Sequence, residues 1–194
     1  MKQSQAWKNL ERETARYFGT KRRLRGADFS ASDVEIIVSV DKWLQRESIY
    51  YGTRLVVECK YRTEIGVVPL FNKYKALHPS LVTIVMLGDY LLVDLEYFDL
   101  VWNDIIELPT KTPTELLQSY AIHRPNKQPA KYLDDYLSQC RDYITDITGS
   151  DTDDDSIYFP ILCLAKKSIK GRVVVCHLND ITYLQEIIDE IVNH

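Results

Sequence analysis

A chain of 194 residues is long enough for one sizeable core, and a composition of 45% hydrophobic and 27% charged residues excludes an intrinsically disordered protein. No apolar run reaches the roughly 20 residues that a membrane-crossing helix needs, and Met1-Lys2-Gln3-Ser4-Gln5 lacks the apolar centre of a secretory leader. The net charge of −4 hides an asymmetry: Met1 to Arg62 carries 13 Lys and Arg against 8 Asp and Glu, whereas Thr63 to His194 carries 11 against 20. A basic front half suggests that one face meets a polyanion. The expected compartment is the cytoplasm, that of a host if the gene is viral.

Gln5 to Tyr17 reads as an amphipathic helix, with Trp7, Leu10, Thr14 and Tyr17 or Phe18 on one stripe and Glu11 at its edge. Gly19 is its expected stop. Lys21 to Ser30 packs four cations, including Arg22, Arg23 and Arg25, ahead of the small residues Gly26, Ala27 and Ser30. It can open as a short strand and then becomes a loop suited to phosphate contact. Asp33 to Val40 reads as a strand with Asp33 and Glu35 on one face. Asp41 to Thr53 is polar with aromatics and ends in a Tyr51-Gly52-Thr53 turn. Arg54 to Lys60 is the next strand, expected antiparallel to the last.

Val67 to Leu77 is a short helix candidate, and Leu81 to Leu87 suits a fully buried strand. Gly88-Asp89 turns it into Tyr90 to Leu95, and Glu96 to Ile106 is expected to be helical. Pro109, Pro113, Pro125 and Pro129 punctuate the next stretch; Thr114 to Tyr120 has helical spacing, and His123 to Pro129 reads as a linker. Ala130 to Ile147 is an amphipathic helix. The acidic Gly149 to Ser156 lacks the glycine and glutamate placement of a calcium loop. Phe159 to Ala165 and Arg172 to His177 form a second hairpin, and Ile181 to Val192 a closing helix capped by Asn179 or Asp180. The order helix, strand, turn, strand, helix thus occurs twice. Cys59, Cys140, Cys163 and Cys176 form no CxxC pair and are expected as reduced core thiols.

Chemistry concentrates in Leu55-Val56-Val57-Glu58-Cys59-Lys60-Tyr61-Arg62. Side chains two apart on a strand share a face, so Glu58 stands beside Lys60 while Cys59 turns away. A carboxylate and an ammonium ending an apolar strand are costly unless paired or ligating. Glu11 on the first helix and Asp33 heading a strand are the acids that can join them. Two or three carboxylates bind a hard divalent cation, and a lysine alongside can position a water.

This pattern resembles the PD-(D/E)xK nuclease superfamily, with Asp33 as the signature acid and Glu58-Cys59-Lys60 as the ExK element. Leu10-Glu11-Arg12-Glu13 looks like the first-helix segment of archaeal and phage Holliday junction resolvases. Gln139-Cys140-Arg141-Asp142-Tyr143 is similar to the QxxxY element of RecB-like and Cas4-like members. Ser32 stands where the family name has proline, and Gln139 lies 79 residues beyond Lys60. Either an insertion separates the two, or Lys73-Tyr74 fills the usual helix and the Gln139 match is coincidental.

The resemblance implies an α/β, restriction-endonuclease-like mixed sheet flanked by helices, with an inserted or appended hairpin–helix unit. It implies a single nuclease domain over 1–194, with an insertion at about 63–128. It further implies a Mg²⁺-dependent DNA endonuclease, Mn²⁺ substituting, structure-selective and dimeric, with no membrane or nucleotide cofactor. Asp33, Glu58, the Cys59 carbonyl and Glu11 would hold metal, and Lys60 would orient water. Arg22, Arg23, Arg25 and Arg62 would hold phosphates, and Gln139 and Tyr143 would be accessory. The alternatives are a RecB-like or Cas4-like nuclease acting on ends or single strands, and a nucleic-acid-binding protein on the same scaffold without turnover.

Overall fold

The structure, a computed structural model, describes residues 3–21, 23–24, 34–46, 50, 52–106, 119–150 and 156–193. It is an α/β fold of mixed strand pairing flanked by helices, and it divides into two compact units. The first unit is Met1–Tyr61 with Tyr132–Cys163, and the second is Arg62–Lys131 with Leu164–His194. The chain therefore leaves the first unit directly after the ExK strand segment and re-enters it at Tyr132. The second unit also takes in the C-terminal segment, so it is more than an excursion between Arg62 and Lys131.

In the first unit, α1 (Gln3–Tyr17) buries Leu10, Thr14 and Ala15, with Phe18 buried just past its end. Gly19 at φ 65° ends it. The Thr20 amide donates to the Ala15 carbonyl at 2.9 Å and the Gly19 amide to the Arg16 carbonyl at 3.1 Å, which satisfies two orphan carbonyls of the last turn. The short β1 (Arg23–Leu24) pairs antiparallel with β2 (Val34–Ser39). A five-residue helix, α2 (Val40–Leu44), follows at once, taking Val40 from the expected strand and the start of the polar, aromatic stretch from Asp41. It spans less than two turns, too short to show a helical period. Gln45 in the left-handed region, φ 54°, closes it.

β3 (Thr53–Arg62) pairs antiparallel with β2 from Ser39–Arg54 to Ile36–Val57. Its other neighbour is β7 (Ile157–Lys166). The Ile157 amide donates to the Gly52 carbonyl at 2.9 Å and the Lys167 amide to the Arg62 carbonyl at 3.2 Å. The two strands therefore run in the same direction. Leu133, Leu137 and Cys140 form the buried stripe of α5 (Lys131–Ser150), spaced four and three apart as a helix packed on a sheet requires.

The second unit packs α3 (Val67–Lys75) through Val67, Val68 and Phe71, and α4 (Phe98–Ile106) through Phe98, Val101, Trp102 and Ile105. Its strand order, after the end of β7, is β8 (Val173–His177), β5 (Tyr90–Asp94), β4 (Val82–Leu87) and β6 (Tyr120–His123). β4 and β5 form the expected hairpin, and every residue of β5 is buried. Gly88 at its turn has φ +59°, and a Cβ there would meet Pro129 Cγ at 2.8 Å, so glycine is required twice over. β6 lies parallel to β4, beginning at Tyr120, where the spacing predicts the end of a helical stretch. α6 (Leu178–Val192) packs on α4. Its cap is His177, whose Nδ1 accepts from the Asn179 amide at 3.2 Å, rather than Asn179 or Asp180, which lie inside the first turn. No described helix is long and apolar enough to cross a membrane.

Candidate active site

The Glu58 and Lys60 side chains stand on one face of β3, as alternation demands. Lys60 Nζ lies 2.6 Å from Glu58 Oε1, with side-chain exposures of 10% and 13%. The same Nζ donates to Gln139 Oε1 on α5 at 2.9 Å. The ring of Tyr136, one turn earlier on α5, sits 5.2 Å from the ammonium. One lysine thus has a carboxylate, an amide oxygen and an aromatic face around it, all within the first unit.

The energetics say this arrangement is not primarily a staple. Attraction between unit charges in contact is worth roughly several kcal/mol at an effective dielectric of ~20. Withdrawing each ion from water costs several kcal/mol. The pair therefore roughly breaks even, and a pair of apolar residues would stabilise the strand as well.

Cys59, between them in sequence, faces the other way and is buried. On that face Thr14 of α1 donates to Cys163 Sγ at 3.3 Å and to the Leu10 carbonyl at 2.8 Å. A hydrogen bond with Cys163, then burial, hold the Cys59 thiol well above its ordinary pKa; Thr14 opposes the shift and the nearby Glu11 adds to it. A thiol kept protonated is not a nucleophile. All four cysteines are free and buried, which agrees with core thiols. α5 reaches β3 from the Glu58–Lys60 side, where Cys140 Sγ donates to the Val56 carbonyl at 3.2 Å. α1 and α5 therefore cover opposite faces of this strand.

The structure brings Glu58, Lys60 and Gln139 together. Glu11, expected at the edge of an apolar stripe, is only 1% exposed and acts electrostatically on Cys59. Tyr143 is half-buried one turn beyond Gln139 on α5. Arg62 is exposed at the end of β3, and the Arg23 backbone pairs with Glu35. Asp33, Arg22 and Arg25 lie outside the described residues. Tyr136 is the site residue that sequence reasoning misses, although its place three residues before Gln139 puts both on one helix face. Among the described residues no group of three or more His, Cys, Asp or Glu stands close enough together to hold a metal ion. Comparison with protein-family models, with curated proteins and with solved structures finds no match to this chain.

Proposed function

We propose that this chain is a metal-dependent DNA nuclease of the PD-(D/E)xK kind, with a restriction-endonuclease-like core formed by its first unit. The observation that carries the reading is the Lys60–Gln139 hydrogen bond. It joins the ExK strand to the QxxxY helix across 79 residues of chain, most of which belong to the other unit. A coincidental QxxxY match would have no reason to end on that lysine. This contact favours the RecB-like form of the reading, acting on DNA ends or single strands, over the junction-resolving form.

The donor chemistry suits Mg²⁺, which takes one or two carboxylates and otherwise waters and substrate phosphate oxygens. The Lys60 ammonium against Glu58 marks that carboxylate as one that faces a cation. Asp33 and Glu58 would hold the ion, with the Cys59 carbonyl as a third ligand. When bound, the ion polarises a phosphoryl oxygen and neutralises charge on the leaving oxygen.

The side chains then have distinct tasks. Lys60, fixed between Glu58 and Gln139, orients the attacking water toward phosphorus. The water oxygen would form the new P–O bond as the bond to the leaving sugar oxygen breaks, the water giving up a proton to solvent and the leaving oxygen taking one up from it. Gln139 and Tyr136 are positioning residues, because they restrict the rotamers of a flexible lysine. Arg62 and the cations between Lys21 and Arg25 supply phosphate contacts.

The reading is tested by incubating the protein with linear, closed circular and branched DNA in Mg²⁺ or Mn²⁺. Degradation of linear but not closed circular DNA is expected, and Asp33→Ala and Lys60→Ala should each abolish it. Cleavage that survives in either variant sinks the proposal. Cutting of closed circles or junctions that both variants lose would instead favour the resolvase-like form.

A further inference from the structure

The C-terminal end of α1 borders a cavity of about 460 Å³, shared with β2 and α2 and contained in the first unit. That volume falls among small-ligand pockets. The cavity is separate from the Glu58–Lys60 site. It reaches Ser39, which pairs with Arg54, six residues before Lys60 on β3. At about 3.3 Å per residue that is roughly 20 Å along the strand.

Its lining combines two chemistries. Tyr17, Phe18 and Trp43 form an aromatic cluster, with Phe18–Trp43 centroids 4.8 Å apart and Tyr17–Trp43 6.2 Å apart. Phe18 is buried, while Tyr17 and Trp43 are half-buried and line the cavity. Arg16 and Lys42, both exposed, bring positive charge to the rim, and Gln45 adds an amide. Flat aromatic surface flanked by cations is what a nucleotide uses, its base stacking and its phosphate pairing.

The cations continue away from the cavity. Lys8, Arg12 and Arg16 are spaced four apart on α1, a stripe about 6 Å per step along the helix axis. The C-terminal end of a helix carries partial negative charge, which disfavours a phosphate inside the cavity itself. Arg16, in that last turn, offsets the negative end only at the rim, so the base belongs in the cavity and the phosphates run outward from Arg16 along the stripe. We propose that this cavity takes the base of an unpaired nucleotide in a DNA or RNA strand whose phosphates lie along Lys8, Arg12 and Arg16.

The test is binding of a short fluorescein-labelled oligothymidylate, read by anisotropy in chelator, beside an abasic sugar–phosphate oligomer of equal length. The wild-type chain should prefer the oligothymidylate by about tenfold or more. Trp43→Leu, which stays apolar but cannot stack, should erase that preference and leave abasic binding unchanged. Arg12→Ala with Arg16→Ala should weaken both oligomers and flatten the dependence on salt. A base preference that survives Trp43→Leu overturns the proposal. So does thymidine monophosphate binding as tightly as the oligomer, which would assign the cavity to a free nucleotide. If Trp43→Leu does not fold, photo-crosslinking of an iodouracil-substituted strand to the wild-type chain decides. Adducts on Tyr17 or Trp43 support the proposal, and adducts confined elsewhere overturn it. With no divalent ion present the assay does not depend on the nuclease reading, so the two can fail separately.

Discussion

In the second unit, Lys75 pairs with Asp94 while its side chain stays 42% exposed. In the first, Lys60 pairs with Glu58 at exposures of 10% and 13%. The Lys75 pair has a visible structural task. Asp94 also accepts from the Glu96 amide at 3.2 Å, capping the short 3₁₀ turn Leu95–Tyr97 that leads into α4. Burial tends to lower the Lys75 pKa, but the Asp94 hydrogen bond and charge outweigh it and raise the value. Lys60 instead reaches from its carboxylate to Gln139 and Tyr136 on α5. The first charge caps the start of a turn and is architecture. The second is buried and held from three sides with no such cap to make, which is what the proposed role of Lys60 requires.

The largest expected effect separates these two lysines. Lys60→Ala should lower cleavage about a thousandfold, as expected for losing the group that orients the attacking water. Lys75→Ala should leave the rate within about twofold and cost under ~1 kcal/mol in urea unfolding, as for a partly exposed pair. Lys60→Arg guards against misfolding as the explanation. It keeps the charge opposite Glu58 but replaces a compact ammonium with a planar fork that cannot orient water the same way. It should fold as the wild type does and remain inactive. Equal losses in Lys60→Ala and Lys75→Ala would erase the contrast.

A smaller effect is expected at Gln139. Gln139→Ala should lower kcat about tenfold with little change in KM, because a positioning contact acts on the chemical step. Gln139→Glu restores an acceptor and should recover much of the loss, which a purely structural role for α5 would not predict. An unchanged kcat in Gln139→Ala would detach the helix from the site.

How far the sequence reveals all this depends on whether each signal is local. α1, β3, the β4–β5 hairpin and α5 announce themselves because each keeps one period over two or more turns or several strand residues. β6 does not: four residues pair with β4 from nearly forty positions away, and nothing within Tyr120–His123 encodes that parallel partner. The ExK run is legible because Glu58 and Lys60 end an apolar run. Gln139 is legible only as half of a motif, since its partner is set by which strand α5 covers. Tyr136 looks like any aromatic on an amphipathic stripe, and its contact with Lys60 depends on the height at which α5 crosses β3. Glu11 looks like the margin of a helix stripe and is instead fully enclosed, because burial is decided by what packs on the helix.

The smallest effect belongs to the second unit and concerns protons. His123 on β6 stacks on His78, with centroids 5.4 Å apart, and lies 4.8 Å from the Tyr74 ring. Burial, and then the charge His78 can carry, lower its pKa below the ordinary value of 6.5. The folded chain thus takes up a proton at His123 less readily than the unfolded chain. Stability linked to this group is fully present above the unfolded value and declines as pH falls from there toward the lower folded value. Urea midpoints should therefore drop as the pH falls below about 6.5. His123→Gln should flatten that slope, since an amide keeps polar character but does not titrate. His78→Gln should flatten it partly, because it removes the second cause and leaves the first. If His123→Gln left the slope intact, the proton-sensitive group would lie elsewhere, and the contrast between a second unit tuned for packing and a first unit tuned for charge would lose one of its supports.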